Sequence, residues 1–251
     1  MGEPLIQFCN VHKSFDSQVV LDGINLAIEE GLVTSIIGRS GVGKSVLLKH
    51  VVGLLEPDEG EILFHNQNVL TMRRSQQRQL KRKFSYMFQN AALFDSMTVY
   101  ENIALPLEEK TKLPKAEIRK RVLAKMEQLE LGDIPAKYPS QLSGGMRKRV
   151  ALARALITNP EIILFDEPTT GLDPVRKTAV HSMISRYQRE FGFTAVVVSH
   201  DIPDVFYISQ KVAMLENGKI VFEGTREEIE TCSDPVVQRF IRGEADTTDL
   251  G

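Results

Sequence analysis

A glycine-rich segment at residues 38–45 has the residue types and spacing of a phosphate-binding loop. It follows the pattern G-x-x-x-x-G-K-S. The candidate nucleotide-binding residues are the eight of this segment and the valine that follows it: Gly38, Arg39, Ser40, Gly41, Val42, Gly43, Lys44, Ser45 and Val46. Glycines let successive N–H groups turn toward phosphate oxygens, and a helix that begins at the lysine adds its positive end. The ammonium of Lys44 suits the β- and γ-phosphates of a nucleotide, and the Ser45 hydroxyl suits Mg²⁺. The alternative is a chance match in a glycine-rich turn. The position of the segment between a predicted strand and a predicted helix argues against it.

Two carboxylates, Asp166 and Glu167, directly follow an apolar run at residues 162–165. A buried strand that ends in acids places them at the carboxyl edge of a sheet, where open α/β folds bind ligands. Asp166 is predicted to hold Mg²⁺, directly or through water, and Glu167 to accept a proton from an attacking water. The alternative is that both acids simply open a surface loop before Pro168.

A second candidate anion site lies at residues 142–146, Leu-Ser-Gly-Gly-Met. Ser143, Gly144 and Gly145 are predicted to begin a helix, where bare backbone N–H groups attract anions. Because one nucleotide does not need two such sites in one chain, the economical interpretation is that this one caps a γ-phosphate held by another subunit. A serine N-cap without a ligand is the alternative.

Strands and helices alternate on both sides of a helical stretch, which predicts an α/β fold that positions these residues. Strands are predicted at residues 5–11, 19–28, 33–37 and 84–89, with a helix from about Lys44. After residue 157 come strands at 162–165 and 194–198, a helix begun by Asp173-Pro174 and ended by Gly192, and a hairpin turning at Asn217-Gly218.

Residues 90–157 interrupt that alternation with a mostly helical pattern and no convincing strand. Apolar residues recur near a period of 3.6 from Pro114 onward, and Gly132 is predicted as the C′ glycine of that helix. We therefore predict one domain over residues 1–251. Its α/β nucleotide-binding core comprises 1–89 and 158–242, its inserted helical subdomain 90–157, and its flexible tail 243–251.

The composition fits a globular domain and excludes several functional classes. The chain has 251 residues, 42% hydrophobic and 25% charged, with a net charge of −2 that gives no case for nucleic-acid binding. Cys9 and Cys232 form no disulfide framework and no zinc-ligand spacing. No apolar run is long enough to span a membrane, and the first residues do not resemble a secretory signal. A soluble, cytoplasmic protein is expected, with any membrane role supplied by a partner.

The order of these segments resembles the ATP-binding cassette (ABC) ATPase family over nearly the whole chain. The phosphate loop, Gln89, the signature at 142–146, Asp166-Glu167, Gly171-Leu172-Asp173 and His200 follow one another as they do in that family. The resemblance implies a P-loop NTPase fold, with a RecA-like core, an N-terminal antiparallel β subdomain and an inserted helical subdomain. It also implies a head-to-tail homodimer that holds two ATP molecules with Mg²⁺. Each site would pair the phosphate loop of one copy with Ser143, Gly144 and Gly145 of the other.

The same resemblance assigns roles to four further residues. Gln89 would contact Mg²⁺ and the lytic water, and His200 would contact the γ-phosphate and orient Glu167; taken alone, each is an ordinary surface or loop residue. Asp173 would communicate across the dimer as well as cap a helix. Phe15 lies where many members stack an aromatic ring on adenine, with core packing as the alternative.

Two segments are candidates for contact with a membrane partner. In transporting members of the family, the region near residues 90–107 forms the groove for a permease; here it contains Phe94, Met97, Val99, Tyr100 and Ile103, for which core packing is the alternative. Residues 73–83 contain six basic and no acidic side chains. They are interpreted as a solvated face, or as a contact for anionic lipid headgroups or an acidic partner segment.

Within the family, several short segments, including Val46 and Met146, resemble the Mla/Mce-type phospholipid-trafficking ATPases. The implied protein is an ATPase subunit that drives a permease at the cytoplasmic face of the inner membrane. A membrane-anchored MCE-type lipid-binding subunit and a small regulatory subunit are implied partners. The alternatives are the ATPase of an amino-acid or other nutrient importer and, more remotely, a soluble non-transport ABC ATPase. Some members extend a C-terminal tail across the dimer. Here only residues 233–251 follow Cys232, so the sequence does not decide whether the tail crosses the dimer.

Overall fold

A six-stranded, mostly parallel sheet forms the centre of the molecule. The computed structural model describes residues 4–87 and 92–244, so Gln89 and most of the predicted tail lie outside the described residues. The sheet has the order β10-β9-β3-β8-β7-β6. Its strands are β3 (Val33–Ile37), β6 (Phe84–Met87), β7 (Ile162–Asp166), β8 (Thr194–Ser199), β9 (Lys211–Glu216) and β10 (Lys219–Gly224). Only β10 pairs antiparallel, through the predicted hairpin, whose turn residues Asn217 and Gly218 have φ of 47° and 76°.

An antiparallel sheet of four strands covers one face of the central sheet. Its order is β2-β1-β4-β5, from β1 (Pro4–Phe15), β2 (Gln18–Glu29), β4 (Glu59–Phe64) and β5 (Gln67–Asn68). Strand β4, which opens with two acids around Gly60, was not predicted from the sequence. A Cβ at Gly60 would lie 2.2 Å from the carbonyl oxygen of Asn10, so the glycine lets β1 and β4 approach closely.

Eight α-helices lie in the described part of the chain. They are α1 (Lys44–Val51), α2 (Arg74–Lys83), α3 (Val99–Lys110), α4 (Lys115–Gln128), α5 (Gly144–Leu156), α6 (Pro174–Phe191), α7 (Arg226–Glu230) and α8 (Pro235–Ile241). Within residues 92–157 the described structure is helical, with no strand. The predicted ends of α6 are confirmed: the Asp173 side chain accepts a hydrogen bond from the Arg176 N–H at 3.0 Å, and Gly192 has φ of 71°.

The predicted C′ glycine of α4 is wrong by two residues. Helix α4 ends at Gln128, and Glu130, with φ of 53°, occupies the left-handed position. The Leu131 N–H donates to the Met126 carbonyl at 3.0 Å and the Glu130 N–H donates to the Glu127 carbonyl at 3.0 Å, which is a Schellman motif. These two bonds close the helix before Gly132 is reached.

The core lies on both faces of the central sheet, because its strands are buried on both sides. Ile163, Phe165 and Val197 face a cluster that includes α3–α6. Leu164 and Val196 face the opposite cluster, which includes α1 and the antiparallel sheet. Burial on both faces explains why β7 and β8 are continuous apolar runs. No helix of the described residues is both long and apolar enough to cross a membrane. The carboxyl ends of the parallel strands are left at one edge, where the candidate residues emerge.

Candidate nucleotide site

The phosphate loop connects β3 to α1 with a backbone that requires glycine at two positions. Gly38 has φ of 152°, and a Cβ there would lie 2.3 Å from the carbonyl oxygen of Leu215. Gly43 has φ of 111°, and a Cβ there would lie 2.9 Å from a methyl carbon of Val20. Neighbouring strands therefore leave room only for bare backbone at both ends of the loop, and Ser40 and Gly41 between them are exposed.

Lys44 is the first residue of α1, and its ammonium is buried beneath the loop. The side chain is 4% exposed, and Nζ donates to the carbonyl oxygens of Gly38 and Arg39, both at 2.8 Å. Burial lowers the pKa of Lys44, against the opposing effect of Glu167 and Asp166. Nζ lies 3.9 Å from Oε1 of Glu167. A cation is thus held between the loop and the carboxylates.

Asp166 ends β7 and is bonded from two sides. Its Oδ1 accepts a hydrogen bond from the Ser45 hydroxyl at 2.8 Å, and its Oδ2 accepts one from the Tyr86 hydroxyl at 2.6 Å. Burial, with the hydrogen bond to Asp166, raises the pKa of Tyr86. Tyr86 lies in β6 and was missed by the sequence analysis, because a lone tyrosine in an apolar strand carries no signal of its own. Ser45 and Asp166 together offer the hard oxygen ligands that Mg²⁺ prefers, so the residues present fit that ion.

Glu167 lies one residue beyond the strand, in an unusual conformation. Its φ is 47°, a region that side chains other than glycine rarely adopt. Its N–H donates to the Val198 carbonyl at 3.0 Å, and its Oε2 accepts a hydrogen bond from the Thr170 hydroxyl at 2.9 Å. Nδ1 of His200, which follows β8, lies 3.3 Å from Oε1. The arrangement places a carboxylate oxygen between Lys44 and His200, where it can accept a proton.

A buried polar cluster behind Glu167 was also missed by the sequence analysis. Asp201 accepts hydrogen bonds from the Thr169 hydroxyl and from the ammonium of Lys177. Burial alone would raise the pKa of Asp201, but these two hydrogen bonds outweigh it and leave the pKa below its usual value. The cluster joins the turn after Glu167 to α6 and to the segment after His200. Only the fold brings these three positions together.

The signature residues form the start of α5. The Ser143 hydroxyl accepts a hydrogen bond from the Met146 N–H at 3.2 Å, so Ser143 is an N-cap. Gly144 and Gly145 are exposed, with open space around their Cα atoms. Among the described residues, no hydrogen bond or ion pair links Ser143, Gly144 or Gly145 to the Lys44–Asp166–Glu167 cluster. The structure therefore brings together Lys44, Ser45, Asp166, Glu167 and His200, and leaves the signature facing solvent.

The remaining predicted residues differ in how far they are exposed. Phe15 is 42% exposed with the ammonium of Lys13 5.5 Å from its ring centroid, which excludes core packing and leaves the ring open to stack. Val42 and Val46 are partly buried against the core, and Nε of Arg39 lies 4.0 Å from Oε1 of Glu216. The Asp173 side chain is half exposed.

The predicted partner groove near residues 90–107 divides into two parts. Val99 and Ile103 are buried and Tyr100 is partly buried against the core, so the core alternative is correct for these three residues. Phe94 is 50% exposed, in a loop held by Asn102. The Asn102 side chain is fully buried; it accepts from the Phe94 N–H at 2.8 Å and donates to the carbonyls of Phe94, Met97 and Thr98 at 3.0–3.1 Å. This asparagine was not singled out by the sequence analysis.

Comparison with known proteins shows the family to which the chain is similar. The family model described as ABC transporter matches residues 21–170. The intermembrane phospholipid transport system ATP-binding protein MlaF of Haemophilus influenzae is 38% identical over 98% of this chain and 93% of its own length. A probable ribonucleotide transport ATP-binding protein, mkl, of Mycobacterium leprae is also 38% identical, over 95% of this chain and 69% of its own length.

Solved structures resemble the chain as a whole. The chain cbiO1 of Clostridium perfringens, part of the ABC transporter complex cbiONQ, has a TM-score of 0.84 and 30% identity, and the match covers 96% of each chain. A dimer of the ATP-binding cassette MJ0796, in a post-hydrolysis state with ADP and Pi, has a TM-score of 0.76 and 34% identity. That match covers 88% of this chain and 98% of the cassette.

Proposed function

The chain belongs to the ABC transporter family and is an ATPase of the ABC type, and from that premise we propose that it drives a phospholipid-transporting permease. One observation carries the catalytic part: the carboxyl ends of β7 and β8 place Asp166, Glu167 and His200 beside Lys44 and Ser45. This is the residue set that in-line attack of water on a γ-phosphate requires.

The chain's own residues supply binding charge, a base and an orienting group. Lys44 offers the cation for the β- and γ-phosphates, and Glu167 accepts the proton of the attacking water at Oε1. His200 holds that oxygen in place through Nδ1, 3.3 Å away. Ser45 and Asp166, with Gln89 as a third ligand expected from the sequence, would hold Mg²⁺. When bound, the ion supplies charge neutralisation at the phosphates.

The site is completed by a second copy of the chain. Gly144 and Gly145 are exposed at the start of α5, and a Cβ at either position would meet nothing within 4 Å. Their N–H groups suit a γ-phosphate presented from outside. We therefore assign each of two ATP molecules to the loop of one copy and to Ser143–Gly145 of the other, with Asp173 at the seam and Phe15 against the adenine.

The catalytic proposal is tested by Glu167→Gln, which keeps the shape of the side chain and removes the base. We expect ATP binding to persist while hydrolysis falls by about 10²- to 10⁴-fold. Gel filtration with MgATP should then show a trapped dimer. Hydrolysis at the wild-type rate would remove Glu167 from its role.

The permease contact is proposed at the loop of residues 92–98, with Phe94 as its apolar anchor. The exposed aromatic ring stands on a loop fixed by Asn102, which suits an interface. Through this contact the chain would sit peripherally at the cytoplasmic face of the inner membrane.

The cargo is proposed as phospholipid because MlaF of Haemophilus influenzae carries that function in its name. An MCE-type lipid-binding subunit and a small regulatory subunit would complete the assembly. The mkl relative favours a second candidate, the ATPase of a nutrient importer that takes up a polar solute such as a ribonucleotide.

Purification of the tagged protein from its own membranes in mild detergent separates the two candidates. A multispanning permease together with a single-span lipid-binding subunit and bound phospholipid would support the first. A permease that binds a ribonucleotide or another polar solute and carries no phospholipid would favour the second. A protein that co-purifies with no membrane subunit would contradict both.

A further inference from the structure

A buried lysine of the signature helix contacts the turn that carries Glu167. Lys148 lies one helical turn after the exposed glycines of α5, and it is 8% exposed. Its Nζ donates to the carbonyl oxygen of Pro168, the residue directly after Glu167. The helix that would meet the nucleotide of the second copy is thus hydrogen-bonded to the residue that follows Glu167 in its own copy.

That turn depends on outside contacts for its shape. Glu167 has φ of 47°, which is unfavourable for a residue with a side chain and persists only when the surroundings hold it. β8 holds it through the Val198 carbonyl, 3.0 Å from the Glu167 nitrogen. Asp201, bonded to Thr169 and to Lys177 of α6, holds the next residues. Lys148 adds a restraint from α5, so a shift of α5 relative to the sheet acts on the turn.

The charge of Lys148 makes this contact more than packing. Burial lowers the pKa of its ammonium, so the group is held at a desolvation cost. An apolar side chain of similar length would fill the same space without that cost. What the ammonium contributes is a strong, directed hydrogen bond to the Pro168 carbonyl.

We propose that Lys148 is a positioning residue that sets Glu167 according to the position of the signature helix. When Gly144 and Gly145 of one copy engage the nucleotide of its partner, α5 moves the Pro168 carbonyl through Lys148 and so aligns Glu167 in its own site. The nucleotide bound in one site of the dimer then affects the position of Glu167 in the other site. The inference rests on the proposed function, in which Glu167 is the base and two copies share each site.

The test compares Lys148→Met, which removes the donor, with Lys148→Gln, whose amide N–H can still donate. Lys148 is not among the residues proposed to hold ATP, and its ammonium is bonded to the Pro168 carbonyl. We therefore expect Lys148→Met to lower kcat by about 10- to 100-fold, the range for a small misplacement of a catalytic group, with KM for ATP unchanged. Lys148→Gln should recover part of that loss. Lys125→Met is the matched control. Lys125 is also a buried lysine of the helical region, 9% exposed, but its Nζ lies 4.3 Å from the Phe191 ring centroid, away from the site.

A double-mutant cycle separates positioning from general support of the fold. If Lys148 acts through Glu167, adding Lys148→Met to Glu167→Gln should leave the residual single-turnover rate unchanged, because the group being positioned is already lost. A purely structural role would lower the residual rate by the same factor as in the wild-type background.

The outcomes are distinguishable. Wild-type kcat in Lys148→Met, or an equal loss in Lys125→Met, overturns the positioning role while Glu167→Gln still reports on the base. A Glu167→Gln variant that hydrolyses ATP normally overturns the proposed function instead. If Lys148→Met does not fold, the cycle is repeated with Lys148→Gln. A loss of rate in Lys148→Gln that is equally large in the Glu167→Gln background also overturns the inference.

Discussion

At the scale of single residues, the Tyr86 hydroxyl controls the carboxylate that is expected to hold Mg²⁺. It donates to Oδ2 of Asp166 at 2.6 Å, while Ser45 occupies Oδ1. Groups that orient a metal ligand typically contribute about 10- to 100-fold to metal affinity. Asp166 therefore has its ligand geometry fixed by β6 as well as by its own strand.

The change Tyr86→Phe removes that hydroxyl and keeps the ring. We expect the Mg²⁺ concentration for half-maximal ATP hydrolysis to rise by about ten-fold, because the carboxylate can then rotate away from Ser45. Steady-state hydrolysis titrated with Mg²⁺ at saturating ATP measures this. Tyr207→Phe, at a side chain 68% exposed, is the control and should leave the titration unchanged. Equal titrations for Tyr86→Phe and wild type would contradict the orienting role.

His181 predicts an acid sensitivity of the fold. It lies in α6, is 3% exposed, and neither ring nitrogen has a hydrogen-bond partner. Burial lowers its pKa, against the opposing effect of Asp201 and Asp204. The unfolded chain therefore binds a proton more readily than the folded one. The contribution of neutral His181 to the free energy of unfolding is complete above the unfolded pKa of about 6.5, and it is lost as the pH falls through and below that value.

Replacement of His181 by Met should flatten this dependence. Below pH about 6.5, the free energy of unfolding should fall with decreasing pH in both proteins, and more steeply in the wild type than in His181→Met. The difference between the two slopes should be up to about 1.4 kcal/mol per pH unit. Urea denaturation between pH 5 and 8 gives the slopes. His65→Gln, at a half-exposed histidine paired with Glu161, serves for comparison. A slope that His181→Met leaves unaltered would assign the acid sensitivity to other groups.

At the scale of elements, Asn102 of α3 holds the preceding loop, which is proposed to receive the permease. The amide makes four hydrogen bonds to the backbone of residues 94–98. A buried amide so placed fixes the loop as a unit, because each lost partner leaves an unsatisfied backbone group.

The change Asn102→Asp keeps the shape but loses the two N–H donors. We expect the free energy of unfolding to fall by about 2–4 kcal/mol and hydrogen exchange to increase in residues 93–98. ATP binding by the isolated chain should be retained, since the phosphate loop is not contacted. Thr98→Ala, which removes only the N-cap of α3, should cost about 1 kcal/mol. Unchanged exchange in residues 93–98 would show that other contacts hold the loop.

The elements with apolar periodicity or clear caps could be predicted, and those without could not. The strands β3, β7 and β8 and both ends of α6 were predicted because burial and capping are written into local residue types. Helix α2 was not, since Leu80 is its only buried residue and the rest of the helix is polar. The end of α4 was misplaced because a glutamate adopts the left-handed conformation that glycine usually provides.

At the scale of the whole molecule, the proposed sharing of each site between two copies predicts complementation between two inactive variants. Ser143→Arg blocks the signature offered to a partner, and Glu167→Gln removes the base of the chain's own site. In a mixed dimer, one site combines an intact base with an intact signature, while the other has neither.

Mixing equal amounts of the two variants should therefore restore about a quarter of the wild-type ATPase rate, because half of the dimers are mixed and each has one competent site of two. Each variant alone should be nearly inactive. The restored rate should rise steeply with protein concentration, as the dimer forms. No recovery on mixing would mean that each chain builds its site alone.

The family of the protein and its ATPase chemistry could be predicted from the sequence alone. The phosphate loop, the Asp166-Glu167 pair, the signature and the order in which they occur were sufficient for the family, because each depends on a short contiguous segment whose spacing is its function. The fold class followed from the same segments and is confirmed by the similarity to solved cassettes.

Only the folded chain reveals which distant residues contact the predicted site and the turn beside it. Tyr86, Asp201 and Lys148 are distant in sequence from the groups that they contact, and a lone tyrosine, aspartate or lysine gives no local signal. Parallel strands bring Tyr86 and Asp201 to one sheet edge, helix α5 brings Lys148 to the turn after Glu167, and burial strengthens the hydrogen bonds of these side chains. Burial also divided the apolar residues after Gln89 into those of the core, such as Val99, and the exposed Phe94. Such distinctions depend on what lies across the sheet, and that is a property of the folded chain.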